Sequence, residues 1–215
     1  LVAGDEELVD KNYVERRRRL EQEVPPELLT LYVVSKDEDE IRRLFDRALA
    51  EGHEGLMAKA LDSKYEVGKR GKIWFKLKRA ETLDLVIVAA DWGYGRRTGW
   101  LSNYHLAVRD EETGEFLVVG KTFKGLTDEE FTQMTKRLRE LKTQEEEFTV
   151  TVKPEVVVEV AYDEIQRSPN YKSGFALRFA RITRIRDDKT PNEADSLRRM
   201  RSLYDEQFSR KGMLK

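Results

Sequence analysis

The sequence has no cysteine, which excludes disulfides and thiolate metal sites. It has two histidines, His53 and His105, too few for a histidine-rich metal centre. No apolar run is long enough to span a membrane, and the N-terminus does not read as a signal peptide. Neither sign of charge is in excess: 40 basic residues stand against 41 acidic ones. Bulk charge therefore points to no nucleic-acid partner, and any basic surface must come from local clustering. What is present is charge in quantity, 38% of residues against the usual quarter or so. Hydrophobic residues make up 39%, enough to build cores. Abundant Glu, Lys and Arg without cysteine is a balance thermophiles favour, and it fits a cytosolic protein. A length of 215 residues suits one large domain or two small ones. The first residue is Leu, so the sequence is expected to begin inside a longer protein.

Val14 to Glu23 reads as a short, very basic helix ended by Pro25-Pro26. Leu29 to Val34 reads as a strand. Ser35 with Glu38 forms a capping box for a helix carrying Ile41, Leu44, Phe45, Ala48 and Leu49, with Gly52 as its stop. Two strands are expected at Gly55–Ala60 and Lys72–Arg79. The texture changes near Ala80. Leu83 to Ala90, LDLVIVAA, is apolar enough for a strand buried on both faces. Strands follow at Trp100–Arg109 and Phe116–Val119. A helix opened by the Thr127/Glu130 box runs to about Lys142, then strands return at Val156–Tyr162 and Phe175–Arg186. Thr190-Pro191-Asn192-Glu193 is a third box, expected to open a final helix with Leu197, Met200, Leu203 and Phe208 on its apolar side. Five strands with a helix between the third and fourth is the order of an OB barrel.

Three stretches carry candidate chemistry. In Trp74-Phe75-Lys76-Leu77-Lys78-Arg79, strand alternation puts Trp74, Lys76 and Lys78 on one face and Phe75 and Leu77 on a core face. Two ammonium groups roughly 7 Å apart suit either a solvated face or an anion lying across it; the strand alone leaves both open. In Glu54-Gly55-Leu56-Met57-Ala58-Lys59, a bulge or twist is needed to bring Glu54 and Lys59 to one ligand. There a carboxylate and a lysine would suit a metal-bound phosphate; an ordinary exposed ion pair is the plainer reading. Upstream of WFKLKR, Lys69 and Arg70 sit between Gly68 and Gly71, which permits close backbone approach to a ligand; a flexible basic hairpin is the alternative. The third stretch, Arg178 to Lys189, holds Arg178, Arg181, Arg184 and Arg186 within nine residues. Such a cluster needs acidic partners or phosphate. Neutralisation by Asp187 and Asp188 is the competing account, and phosphate is the favoured one.

Taken in order, EGLMAK, SKYEVGKRGKIWFKLKR and FALRFARITRIRDDK resemble the later nucleotidyltransferase motifs of ATP-dependent DNA ligases, nearest the archaeal replicative type related to eukaryotic ligases. The resemblance covers essentially the whole chain. It implies an α+β fold: the C-terminal part of an ATP-grasp-like nucleotidyltransferase (adenylation) domain over 1–80, then an OB-fold β-barrel with a C-terminal helix over 81–215. It implies that Lys76 and Lys78 contact the α-phosphate of ATP or AMP, an arrangement that would answer their shared face. Glu54 would be a catalytic acid placing Mg²⁺ and nucleotide. Arg70, Lys59 and Trp74 would belong to the nucleotide site. Arg186, Asp188 and Lys189 would close over the β- and γ-phosphates. Arg178 and Arg181 belong to the same motif and, with Arg96 and Arg97, are expected at DNA; if the chain were instead a nucleic-acid-binding OB module, Arg96, Arg97, Lys121 and Lys124 would be candidate phosphate contacts, with solvated loop charge the plainer reading at each position. Ala180 stands where proline is expected in many relatives, which would soften the local bend.

The family's nucleophile is a lysine in Lys-x-Asp-Gly, and no such sequence occurs here. The expectation is therefore a chain that cannot charge itself with AMP, the back part of an enzyme that does. For the whole enzyme the resemblance implies three steps: lysyl-AMP formation from ATP, transfer of AMP to a 5′-phosphate at a nick, and displacement of AMP by the 3′-hydroxyl. A hinge is expected near Arg79–Asp84. The partners implied are nicked duplex DNA and, through regions not in this sequence, a sliding clamp, for a monomer in the archaeal cytoplasm or a eukaryotic nucleus. Two other readings stay open: a non-catalytic OB module binding nucleic acid through backbone charge and aromatics, and an RNA ligase or capping-type guanylyltransferase.

Overall fold

The computed structural model describes residues 2–3, 6–69, 71–79 and 81–212, with side chains through Gln207. The chain forms two compact units, one reaching Arg79 and the other ending at Gly212.

In the first unit β1 (Val2–Ala3) pairs with β2 (Glu6–Glu7). Helix α1 (Tyr13–Glu23) starts at Asn12 with a reciprocal cap: the Glu15 amide donates to Asn12 Oδ1 and the Asn12 amide to Glu15 Oε2. Residues 29–34 do not form the expected strand; they carry no regular secondary structure and, among the described residues, no neighbouring strand pairs with them. β-propensity needs a partner ladder to become a strand. Helix α2 (Glu38–Ala50) is capped by Asp37, not by Ser35. The Ser35 hydroxyl accepts from the Asp37 amide, leaving Asp37 to accept from Asp39. Gly52, at φ 86°, follows the helix in the left-handed conformation expected there. Then β3 (Gly55–Lys59) and β4 (Trp74–Lys78) pair antiparallel, and α2 packs on β3. Phe75 and Leu77, expected in a core, are 56% and 41% exposed. A two-stranded sheet with one helix against it has too little material to cover both faces. Among the described residues of this unit, only Leu8 and Ala48 are buried hydrophobics.

The second unit holds β5 (Glu81–Trp92), β6 (Leu101–Arg109), β7 (Phe116–Thr122), α3 (Asp128–Glu140), β8 (Lys142–Glu146), β9 (Thr149–Tyr162), β10 (Glu164–Arg167), β11 (Phe175–Arg178), β12 (Arg181–Ile185) and α4 (Leu197–Gly212). The main sheet runs β12-β9-β5-β6-β7, antiparallel throughout, with β8 added to β9. It curls shut where the Ile182 amide donates to Lys124 O at 3.0 Å and Thr122 Oγ1 donates to Ala180 O at 2.6 Å. This is the expected OB barrel. Leu83, Leu85 and Ile87 enter its core with Leu106, Val158, Phe131 and Met200. Val86 packs on the other side with Val157 and Ala194, so β5 is buried on both faces. The Thr127/Glu130 box forms as expected.

Three expectations are corrected. The polar strand β8 was not foreseen. The stretch expected as one strand, Phe175–Arg186, breaks at Phe179, whose φ is 54°, and its ladder with β9 shifts register between Ile182 and Arg184. Ala180 therefore does not remove the bend. The Thr190 box closes on Glu193 but caps only a 3₁₀ turn, Pro191–Glu193, and α4 begins after Ser196, whose hydroxyl accepts from the Arg199 amide. The side chain of Phe208 lies outside the described residues. No helix among the described residues is long and apolar enough to cross a membrane.

Candidate functional site

Register settles the geometry of the lysine face. Lys59 lies opposite Trp74, Met57 opposite Lys76 and Gly55 opposite Lys78. Cross-strand partners share a face, so Lys59 and Met57 join Trp74, Lys76 and Lys78. Glu54 precedes the strand, yet its Oε2 reaches Lys78 Nζ at 2.9 Å. Gly55, at φ 141°, makes the turn that allows this; a Cβ there would lie 2.0 Å from Leu77 O. The turn brings Glu54 to Lys78 and not to Lys59, which lies at the other end of β3 beside Trp74. Lys76 is exposed and makes no ion pair among the described residues. Arg70 lies outside the described residues.

The Lys59 end of the face opens on a cavity of about 570 Å³, lined by Tyr13, Arg16, Arg17, Lys59, Tyr65 and Trp74 among others. Lys59 Nζ sits 4.7 Å from the Trp74 ring centroid and 5.1 Å from that of Tyr13. Burial, then the nearby Arg17 and Arg16 charges, lower its pKa. Burial, then Tyr32, raises that of Tyr13. Arg16 is itself buried and donates to Lys11 O and Ser63 O. The basic run VERRRR marked this helix as charged; that two of its arginines turn inward was not legible, because no helical apolar stripe flags a buried arginine. One carboxylate, Glu54, sits at this face, and no cluster of three His, Cys, Asp or Glu forms among the described residues. A single carboxylate fits Mg²⁺ that keeps its waters and takes its other ligands from phosphate.

In the second unit Arg186, Asp188 and Lys189 lie together after β12. Arg186 donates through Nε and Nη2 to Asp188 at 2.9 and 2.7 Å, and through Nη1 to both oxygens of Asp84 at 2.9 and 3.0 Å. Lys189 donates to Asp84 Oδ2 at 2.6 Å. The hydrogen bond to Asp188, working against burial, raises the Arg186 pKa; the same bond holds Asp188 well below the usual carboxylate range. Two of the other three arginines have acids too: Arg178 with Glu164 at 3.5 Å and Arg181 with Asp163 at 3.8 Å; Arg184 makes no ion pair among the described residues. Asp187 pairs with Arg137. Phosphate was favoured over acidic neutralisation for this stretch, yet acids surround it, from positions mostly distant in sequence. Asp84 in particular was hidden inside an apolar run.

Of the expected DNA contacts, Arg96 and Arg97 sit on the 3₁₀ turn Gly95–Arg97. Arg97 is turned inward: Nη1 donates to Phe123 O at 2.6 Å, and its guanidinium lies 4.5 Å from the Phe131 ring centroid. Lys124 stands by the rings of Phe123 and Phe179, both more than half exposed, with Arg178 over Phe179. Lys121 instead joins a polar cluster on Asp91, which also accepts from Asn103, His105 and Thr149. Burial pushes Asp91 up, but the bonds from Thr149, His105 and Lys121 bring it below its ordinary value; burial also lowers His105.

A lysine-faced strand pair in one unit and an OB barrel with an arginine-rich closing strand in the other are the parts of a nucleotidyltransferase–OB protein. The family profile described as ATP dependent DNA ligase domain matches residues 1–78, and that described as ATP dependent DNA ligase C terminal region matches residues 97–189. The chain belongs to the ATP-dependent DNA ligase family. It is 56% identical over 199 residues to a Korarchaeum cryptofilum protein named DNA ligase 1, covering 92% of this chain and 37% of that one. It is 48% identical over 208 residues to a Thermococcus fumicolans DNA ligase, covering 95% and 37%. The chain thus spans well under half the length of these curated relatives. A solved structure titled Pmar-Lig_PreS3 superposes with a TM-score of 0.54 at 24% identity, over 71% of this chain and 32% of that one, a likeness of fold.

Proposed function

We propose that this chain handles phosphate and DNA in ATP-dependent sealing of 5′-phosphate/3′-hydroxyl nicks in duplex DNA. The observation that carries the reading is the β3–β4 face, where Lys76 and Lys78 share one side and Glu54 pairs with Lys78, in the family's own motif order. Lys76 and Lys78 neutralise the α-phosphate as charge builds on it during in-line transfer. Glu54 holds Lys78 in place and, with nucleotide phosphates, would hold Mg²⁺, which when bound supplies charge neutralisation. Lys59 and Trp74 form the adjoining wall, with Arg70 as a further nucleotide contact. Arg186, Asp188 and Lys189 orient the β- and γ-phosphates as leaving group. Arg96, Arg178 and Arg181 approach the DNA backbone, with Lys124 near the exposed rings of Phe123 and Phe179. The sequence contains no Lys-x-Asp-Gly, so the proposal assigns it no nucleophile. The domain assignment 1–80 and 81–215, a monomeric state, a sliding-clamp partner and a place with chromosomal DNA in cytoplasm or nucleus belong to the same reading.

The test is a chimera in which this chain replaces the matching region of the Korarchaeum relative. It should seal nicked duplex DNA with ATP and Mg²⁺, and Lys76→Ala should lower sealing by about 10²-fold or more, the scale of losing one preplaced electrostatic contact. Normal sealing by the variant would remove Lys76 from the chemistry. GMP transfer to RNA ends, with no nick sealing, would favour the capping-type reading.

A further inference from the structure

Asp84 is the one acid inside the apolar run Leu83–Ala90, on a strand buried along both faces. A carboxylate there must be paired. Its backbone is held without help from its side chain: it lies opposite Glu159 in the β5–β9 ladder, its amide donates to Asp195 Oδ2, and its carbonyl accepts from the Asp195 amide, both at 2.8 Å. The carboxylate faces Arg186 and Lys189. Arg186 side-chain exposure is 14% and that of Asp84 is 13%, whereas Lys189 keeps 30%. A guanidinium and an ammonium converging on one pair of oxygens is also the way proteins grip phosphate. Asp188 fills the remaining edge of Arg186, and Glu159 lies 4.0 Å from its Nη1. As it stands, the pair is occupied by the chain's own acids.

We infer that Asp84 is a positioning residue and an internal competitor: its carboxylate holds Arg186 and Lys189 side by side, and a polyphosphate binds there by displacing it. This rests on the reading that Arg186 and Lys189 serve the β- and γ-phosphates. The exchange trades one set of charge-assisted hydrogen bonds for another. The strand need not move, because the backbone of Asp84 is tied independently. Such a device keeps two cations from repelling each other while the site waits. It also sets how much anionic charge a ligand must bring to take them, favouring a triphosphate tail over a monophosphate.

The test is tripolyphosphate binding to this chain by calorimetry. Asp84→Asn should bind about tenfold tighter than the unaltered chain, the order expected when a competing charge leaves a close pair. Asp84→Glu, which keeps the charge, should gain nothing, and Arg186→Gln added to Asp84→Asn should abolish the gain. A merely structural role predicts the opposite sign. Equal or weaker binding by Asp84→Asn, or no binding by either chain, overturns the inference. If Asp84→Asn does not fold, the Arg186 Nε resonance of the unaltered chain decides: it should move as tripolyphosphate is added, and a fixed resonance overturns the inference. None of this needs sealing activity. A chimera that fails to seal while Asp84→Asn gains affinity counts against the ligase role alone; a sealing chimera with no such gain counts against Asp84 alone.

Discussion

Gly55→Ala should disable the site while leaving most of the fold in place. The new Cβ would lie 2.0 Å from Leu77 O and 3.1 Å from Phe45 Cε2, against an ordinary contact of at least 3.4 Å. Strands β3 and β4 must part by about 1.4 Å at this end, the difference between 3.4 and 2.0 Å. Gly55 is opposite Lys78, so the displacement falls on Lys78 and on its 2.9 Å bond to Glu54. The φ of 141°, in a region almost restricted to glycine, adds a backbone penalty of about 1–3 kcal/mol for an L side chain. A shift of about 1 Å in positioned groups costs about 10²-fold in rate, so the chimera carrying Gly55→Ala should seal nicks about 100-fold more slowly. Gly114→Ala is the control. Gly114 also has positive φ, 75°, but nothing lies within 4 Å of its would-be Cβ. It bears a backbone penalty without moving the lysines. The assay is sealing of a fluorescent nicked duplex at saturating ATP, with amide spectra to verify folding. Sealing by Gly55→Ala within about threefold of its parent, far from the loss that a 1 Å shift implies, would refute the argument.

Two further outcomes follow from the barrel. Gly125→Ala would set a Cβ 1.9 Å from Ile182 O, at φ 107°, beside the Ile182–Lys124 hydrogen bond that closes the sheet. Overpacking, backbone strain and the lost bond together should cost about 3–5 kcal/mol in urea unfolding of the second unit, and a loss below about 1 kcal/mol would mean the closure is not rigid. His105 has its pKa lowered by burial, so between that lowered value and the ordinary 6.5 the folded chain binds fewer protons than the unfolded one. Stability should therefore fall as pH falls through that window, and His105→Asn should flatten the slope; an unchanged slope would assign the effect elsewhere.

The barrel was largely legible because its strands carry their own signals. LDLVIVAA could be placed inside on both faces from composition alone, and Thr127 and Glu130 announced α3 by local chemistry. What escaped has physical reasons. Lys142–Glu146 is a strand because β9 offers it an edge, and all its residues are exposed, so no alternation marked it. Residues 29–34 have the composition of a strand and lack a paired neighbour. Within the candidate site, Lys76 and Lys78 were readable from alternation. Their alignment with Lys59 depended on register, and Glu54's reach to Lys78 on the φ of a single glycine. The acids that face the arginines were invisible, because Asp84, Asp163 and Glu164 are remote in sequence from the residues they meet, or sit in apolar surroundings.

Those acids change what salt should do. A polyanion that binds a bare cationic surface frees condensed counterions, and its affinity drops steeply as salt rises, with a slope set by the number of phosphates neutralised. On the second unit many of the cations already carry covalently attached counterions: Glu164 on Arg178, Asp163 on Arg181, Asp84 and Asp188 on Arg186, Asp91 on Lys121. When phosphate displaces a carboxylate the protein's own charge is set free, and that charge then gathers ions of its own from solution. The logarithmic salt slope for DNA or polyphosphate should consequently be shallower than a count of arginines suggests. A surface built this way trades raw affinity for grip that persists at high ionic strength.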